Sequence, residues 1–229
     1  MKVKYFVLFF VMAVFTTHVK SQAIYPVSSS ELIFSFADVE NNGFNIPTNM
    51  RFTIFINYGQ YWHFDVTNNI GLYSGGAIRN VGFITEQDDK KIKRRSYTLG
   101  VPLAFKLGSF RDNLYVFGGA EYELLFHYKQ KIFVNDSKIK KTEWFSDRTQ
   151  RFLPSIFGGI QFPKGLNIKF KYYLENFLNK DFTGTDLGEN VDYADFNQTQ
   201  VYYISLSFQI KGDKFKEKYK AKSFDVAYK

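Results

Sequence analysis

The sequence predicts an all-β protein, an antiparallel up-and-down transmembrane β-barrel of eight strands. Three observations point there. Apolar and polar residues alternate with period two along many segments, the pattern of strands with one apolar face. The connections between those segments are alternately short and long, as in a barrel with turns at one end and loops at the other. Finally, 45% of the 229 residues are hydrophobic and 20% aromatic, yet mean hydropathy is only −0.26. The apolar residues are therefore interleaved with polar ones, which alternation achieves and solidly apolar helices do not.

The elements follow in order. Residues 31–39 are the first expected strand, leading to a polar connection through Asn41, Asn42 and Gly43. Residues 51–58 are the second, and Gly59-Gln60 is expected to turn into a third that begins at Tyr61 and runs, interrupted by Gly75-Gly76, to Thr85. A charged loop, 86–95, precedes the fourth strand, 96–107; a short turn, 108–113, leads to the fifth, 114–129. A long polar loop covers 131–150. The sixth strand, 151–162, turns at Pro163-Lys164-Gly165 into the seventh, 166–176, and a second long loop through Gly184 and Gly188 reaches the eighth, 200–210. Gly and Pro fall at the connections, where turn geometry favours them. An even strand count puts both termini at the short-turn end, expected to be periplasmic.

The strand faces carry the stronger argument. In the fourth strand Tyr97, Leu99, Val101, Leu103, Phe105 and Leu107 share one face; in the seventh, Leu166, Ile168, Phe170, Tyr172 and Leu174 do; in the eighth, Tyr202, Ile204, Leu206, Phe208 and Ile210. The opposite faces carry His63, Asp65, Lys106, Glu121, Glu123, Lys169, Lys171 and Glu175. An eight-stranded barrel has an interior just wide enough for side chains, so these residues are expected inside as a structural polar network, with the apolar face toward lipid. A soluble ligand-carrying barrel would reverse the two faces. Tyr58, Tyr61, Tyr97, Tyr128, Tyr172 and Tyr202 lie near strand ends and are the expected interfacial girdle.

The ends differ from the body. Lys2 and Lys4 precede an apolar run, 5–15, and Ser21-Gln22-Ala23 places small residues at −3 and −1 of a cut after Ala23. Residues 1–23 thus read as a cleaved secretory signal, residues 24–210 as the barrel, and residues 211–229 as a basic periplasmic tail. The formal charge is +8; the leader holds +3 of it and the tail +4, so the body is nearly neutral and nucleic acid is not an expected partner. With no cysteine, a disulfide framework, a thiolate metal site and a catalytic thiol are excluded.

Arg95-Ser96-Tyr97-Thr98-Leu99-Gly100-Val101-Pro102-Leu103-Ala104-Phe105-Lys106-Leu107-Gly108 resembles a segment common in the outer-membrane β-barrel family of Bacteroidota, the PorT-like group of eight-stranded barrels. Pro154-Ser155-Ile156-Phe157-Gly158-Gly159-Ile160-Gln161-Phe162-Pro163-Lys164-Gly165-Leu166-Asn167 is similar to that family's penultimate hairpin. The resemblance spans most of residues 31–210. It implies an outer-membrane location and, from some members, a part in protein secretion; it implies no catalytic residues, since its motifs are structural and fold alone does not supply an activity. Here Phe208 is followed by 21 further residues, whereas many such barrels end on the last strand's aromatic residue.

Two histidines are the candidates for chemistry. His63 and Asp65 are two apart and share a face; His127 is expected on one face with Glu123, nearer the loop end. A His base beside an acid suits a lipid-modifying hydrolase, but no serine partner is identifiable, and a satisfied lumen residue is the simpler reading. The lumen charges suit either a plug or a small pore. No catalytic, cofactor or metal residue is therefore assigned. The expected reading is a non-enzymatic structural or accessory barrel in secretion or envelope assembly. Its expected partners are outer-membrane lipids and an envelope or secretion protein reached through the outer loops or the tail.

Overall fold

The alternation is realised as a ring of eight staves. The computed structural model describes residues 23–212, other than 88–89, 135–136 and 187–188. The expected leader and the tail beyond Gly212 lie outside the described residues. β1 (Ala23–Asn41) pairs antiparallel with β2 (Phe44–Asn45), β4 (Arg51–Thr53) and β5 (Tyr58–Asp65), which with β3 (Thr48–Asn49) make up the second stave. β6 (Ile70–Gln87), β7 (Lys90–Ser109) and β8 (Leu114–Val134) follow, and the sixth stave is split into β9 (Ser137–Trp144) and β10 (Phe152–Gln161). β11 (Leu166–Tyr173) is the seventh stave, β12 (Thr183–Asp186) and β13 (Glu189–Asp192) form a separate hairpin in the last loop, and β14 (Phe196–Lys211) is the eighth stave. β10 pairs with both β8 and β11, and β14 with both β11 and β1. The ring is closed, which removes the sheet edges an open sheet would expose.

The faces fall where period two requires. Outward Leu103 is 63% exposed, whereas inward Lys106 is fully buried. The same inversion runs through β11 and β14, with Ile168, Phe170, Ile204 and Phe208 outside and Asn167, Lys171, Ser205 and Tyr203 inside. From Tyr97 to Leu107 the outward side of β7 is apolar. Ten steps of about 3.3 Å, tilted by about 40°, rise about 25 Å, the height of the apolar band on a membrane barrel. Both described ends of the chain lie with the turns 66–69, 110–113 and 162–165; the last loop and the other three connections lie at the opposite end.

Several expected boundaries are corrected. Gly59-Gln60 is no turn: β5 runs through it, and the chain reverses at 66–69 instead, where Thr67 Oγ1 accepts from Asn69 N and Ile70 N at 3.1 and 2.9 Å. Gly59 is there for space, since a Cβ would come within 2.3 Å of the Tyr61 hydroxyl. β6 is unbroken at Gly75-Gly76; a Cβ on Gly75 would stand 2.1 Å from the Gln60 carbonyl, so the glycine permits the close approach of β5 and β6. Residues 86–87 and 90–95 of the charged segment, and residues 131–134 and 137–144 of the polar one, are strand rather than loop, because the staves run on past the apolar band. Of the expected girdle, Tyr58, Tyr97, Tyr172 and Tyr202 face outward, but Tyr61 and Tyr128 point inward and are buried.

Two irregularities set the faces. Between β4 and β5, residues 54–57 bulge out, with Ile56 at φ 62°. Asn57 pins this bulge: its amide donates to the Glu31 and Thr53 carbonyls, both at 3.2 Å, and its Oδ1 accepts from Asn80 N at 2.9 Å. In β8 the register shifts opposite Tyr97/Thr98, so that Phe126 is an extra residue and the strand's inward positions change from odd to even numbers beyond it. Asn57→Ala leaves buried backbone groups unpaired. It is expected to lower stability by about 2 kcal/mol, read as a lower urea midpoint for the refolded protein in lipid vesicles.

Candidate functional site: a charged lumen

The inward residues of the staves meet in two clusters. In the middle of the barrel Glu31 of β1, Glu121 and Glu123 of β8, Arg79 of β6, and Lys169 and Lys171 of β11 form a set of three carboxylates and three cations. Arg79 is central. Its Nη2 donates to Glu31 at 3.1 Å and to the Tyr61 hydroxyl at 2.9 Å, and its Nη1 donates to Glu121 and lies 3.4 Å from Glu123. Lys169 donates to both Glu31 oxygens at 2.9 and 3.0 Å; Lys171 donates to Glu121 at 2.7 Å and also to Glu123. The Tyr173 hydroxyl donates to Glu123 at 3.0 Å. The planar guanidinium with its five donors serves three carboxylates from one position, which an ammonium does not do. Gly100 makes room, since a Cβ there would lie 2.1 Å from Glu121 Oε1.

The second cluster lies toward the end that carries the described termini. Lys106 of β7 donates to Asp65, to the Tyr25 hydroxyl at 3.1 Å and to His63 Nδ1 at 3.1 Å, and its ammonium stands 4.3 Å from the Phe110 ring centroid. His63 stacks on Tyr73 at 4.9 Å. At the other end the bore is closed by apolar packing: Phe83, Leu125, Tyr128, Phe177, Tyr193 and Phe196 belong to one buried cluster. Arg148 reaches in to donate to the Tyr193 hydroxyl at 3.2 Å.

Seven of the eight residues expected inside, His63, Asp65, Lys106, Glu121, Glu123, Lys169 and Lys171, are placed there and buried. Glu175 is a correction: β11 ends at Tyr173, and Glu175 lies exposed in the bend beyond it. Sequence reasoning missed Glu31, Arg79, Tyr25 and Tyr61. Glu31 stands in alternation with Ser29, Ile33 and Ser35 and was within reach of the pattern. Arg79 and Tyr61 were obscured by the misplaced turn, which reversed no face but broke the stave they bridge.

The histidines are differently disposed from expectation. A lysine ammonium only donates, so His63 Nδ1 is the acceptor and its proton is assigned to Nε2. The nitrogen that would take a substrate proton is occupied, in a site walled by Tyr25, Tyr73 and Lys106. His127 is not beside Glu123: the extra residue Phe126 turns it outward, where it stacks between Tyr97 at 5.5 Å and Trp144 at 4.2 Å. Among the described residues no group of three His, Asp or Glu is arranged to hold a metal ion.

No family profile and no curated protein matches the chain. Among solved structures it is similar to Ail, the attachment invasion locus protein of Yersinia pestis, at 11% identity over 83% of this chain and 100% of that one, with TM-score 0.38. It is also similar to Neisserial surface protein A at 8% identity, covering 84% and 100% with TM-score 0.41. A third is the outer membrane protein OprG of Pseudomonas aeruginosa, at 9% identity, 82% and 95% coverage and TM-score 0.37. Likenesses at this level carry no argument about role, and the functional reading rests on the chain's own residues.

Arg79→Met leaves three buried carboxylates facing two lysines. It is expected to cost about 3–5 kcal/mol, measured by urea unfolding in vesicles, against less than about 0.5 kcal/mol for Glu175→Gln on the surface. Equal midpoints for the two variants would contradict the network.

Proposed function

We propose that this chain is an integral outer-membrane β-barrel that neither catalyses nor conducts, and that it serves as a structural or accessory subunit in protein secretion or envelope assembly. The apolar outer face supports the membrane reading, because Leu99, Val101, Leu103 and Phe105 would otherwise meet water as one continuous patch. The termini are taken as periplasmic, on the strength of the short turns beside them. The observation that carries the functional reading is the lumen: its charges are matched to one another, and the loop-end bore is filled by aromatic and aliphatic side chains. A residue that spends its hydrogen bonds on neighbours has none for a substrate or a passing ion.

A barrel with a filled interior acts through its ends. The loop-end strands at 90–95 and 137–144 and the tail 211–229 are the surfaces left for a partner. The resemblance of residues 95–108 and 154–167 to the PorT-like family of Bacteroidota supports secretion as the process concerned.

Deletion followed by comparison of secreted and outer-membrane proteomes tests the role; loss of a set of exported proteins is expected, and unchanged proteomes contradict it. Purified protein in planar bilayers is expected to show no steady openings. His63→Ala and His127→Ala are expected to leave lipid A acylation unchanged by mass spectrometry, where a shifted acyl pattern in either would install the hydrolase reading.

A further inference from the structure

Beyond the apolar band, at the loop end, the outward face of β7, β8 and β9 changes from apolar to cationic. Arg95 stands opposite Lys129; Lys93 stands opposite Lys131, which in turn stands opposite Lys140; Lys91, Phe133 and Lys138 form the next row. Like charges directly opposite across a ladder repel, so a row of three lysines is a feature that calls for counter-charge. On this face Lys91 pairs with Glu86 at 3.3 Å. Among the described residues, Lys93, Arg95, Lys129, Lys131, Lys138 and Lys140 have no carboxylate partner. The Lys131 ammonium is held below the ordinary lysine range, first by partial burial and then by Arg95, Lys138, Lys140 and Lys93.

Position and shape narrow what could balance them. Tyr97 closes the apolar band, so Arg95 and Lys93 stand about 5 and 10 Å further along the membrane normal, at headgroup depth. Immediately below, Tyr97, His127 and Trp144 form a stacked aromatic row. Beside the cations lies an open cavity of about 550 Å³; Lys93, Arg95 and Lys131 form one wall and Met50, Phe52 and Phe55 another. A cationic wall against an apolar wall fits a molecule with an anionic head and hydrocarbon tails. The cations spread across three strands, about 10 Å from first to third, which is wider than one phosphate needs.

We infer that this face of β7–β9, with the adjoining segment 50–55, binds a lipid whose sugar head carries two phosphates, the phosphorylated glycolipid of an outer leaflet. The inference rests on the membrane reading given above. Each lysine or arginine near a charged surface adds about a factor of five in binding. Phosphates on Lys93, Lys131 and Lys140 would also relieve the repulsion along that row.

The full chain in nanodiscs of uncharged lipid, with bisphosphorylated lipid A added and bound lipid read by native mass spectrometry, tests it. The wild-type chain is expected to retain lipid A, and the variant Lys93→Gln/Arg95→Gln/Lys131→Gln to bind it about a hundredfold more weakly. Lys164→Gln at the opposite end is expected to bind as the wild type does. All four residues lie outside the lumen, and heat-modifiable gel mobility reports whether each variant remains a folded barrel. Lys138→Gln/Lys140→Gln, on the exposed strand β9, is a second variant expected to weaken binding should the triple variant not fold. Equal retention of dephosphorylated lipid A or of phosphatidylglycerol overturns the assignment, as does complete displacement by excess inorganic phosphate. Undiminished binding by a folded triple variant overturns it too. A chain that does not insert into the nanodisc contradicts the membrane reading itself.

Discussion

Arg79 is held by Glu31, Glu121 and Glu123 in the middle of a ring only eight strands wide, and the rest of the structure follows from having to enclose that contact. A buried guanidinium is tolerated only when its charge and donors are all answered, which fixes one carboxylate on β1 and two on β8. Those carboxylates exceed one cation, so β11 must supply Lys169 and Lys171. Four staves are thereby tied to a single register, because slipping any of them by one residue would carry its charge to the apolar outer side. Such a network need not add net stability over an apolar filling of equal volume. What it contributes is a specific pairing of staves, with small residues such as Gly59 and Gly100 leaving the space that the large side chains take up.

On the proposed membrane reading, the outer surface answers to a different constraint, the thickness of hydrocarbon. The apolar side of β7 is about 25 Å tall, but β6 to β9 are longer than that and carry on at the loop end as a polar extension. The bulge at Phe126 sits at this boundary. By changing which side of β8 faces inward, it sets His127 in the aromatic row and Lys129 and Lys131 on the outer face, while Tyr128 and Gln130 turn in to seal the bore. The same bulge removes the His127–Glu123 pair that equal spacing alone would have produced.

Strand number, closure and lumen polarity were legible because each rests on period-two alternation within the apolar band, where one face is apolar and the other polar. Legibility fails where that contrast fails. Residues 90–95 and 137–144 are strands beyond that band, rich in lysine, so their composition is that of loops. Gly59 and Gly75 punctuate the sequence like turn residues, yet they are there because Tyr61 and the Gln60 carbonyl come too close for a Cβ. The true reversal at 66–69 uses Thr67 and Asn69 and contains no glycine or proline. Phe126 looks like any other aromatic residue, and a one-residue bulge leaves no mark on composition. In the lumen, Lys106, Glu121, Glu123, Lys169 and Lys171 could be read off their strands, but Arg79 as the common partner requires the register of β6 against β1 and β8.

The central claim is that apolar side chains face lipid around a lumen packed with paired charges. A chain without cysteine allows a direct measurement, because each introduced thiol is the sole reactive site. Ser205→Cys would place one inside and Leu206→Cys its neighbour outside. With the protein in bilayers, the account predicts that the thiol at 205 resists water-soluble maleimide added from either side, and that the thiol at 206 reacts only with a lipid-soluble maleimide. Rapid labelling at 205 by the water-soluble reagent would reveal an open aqueous bore, and the same reagent reaching 206 would mean the apolar face does not lie in the membrane.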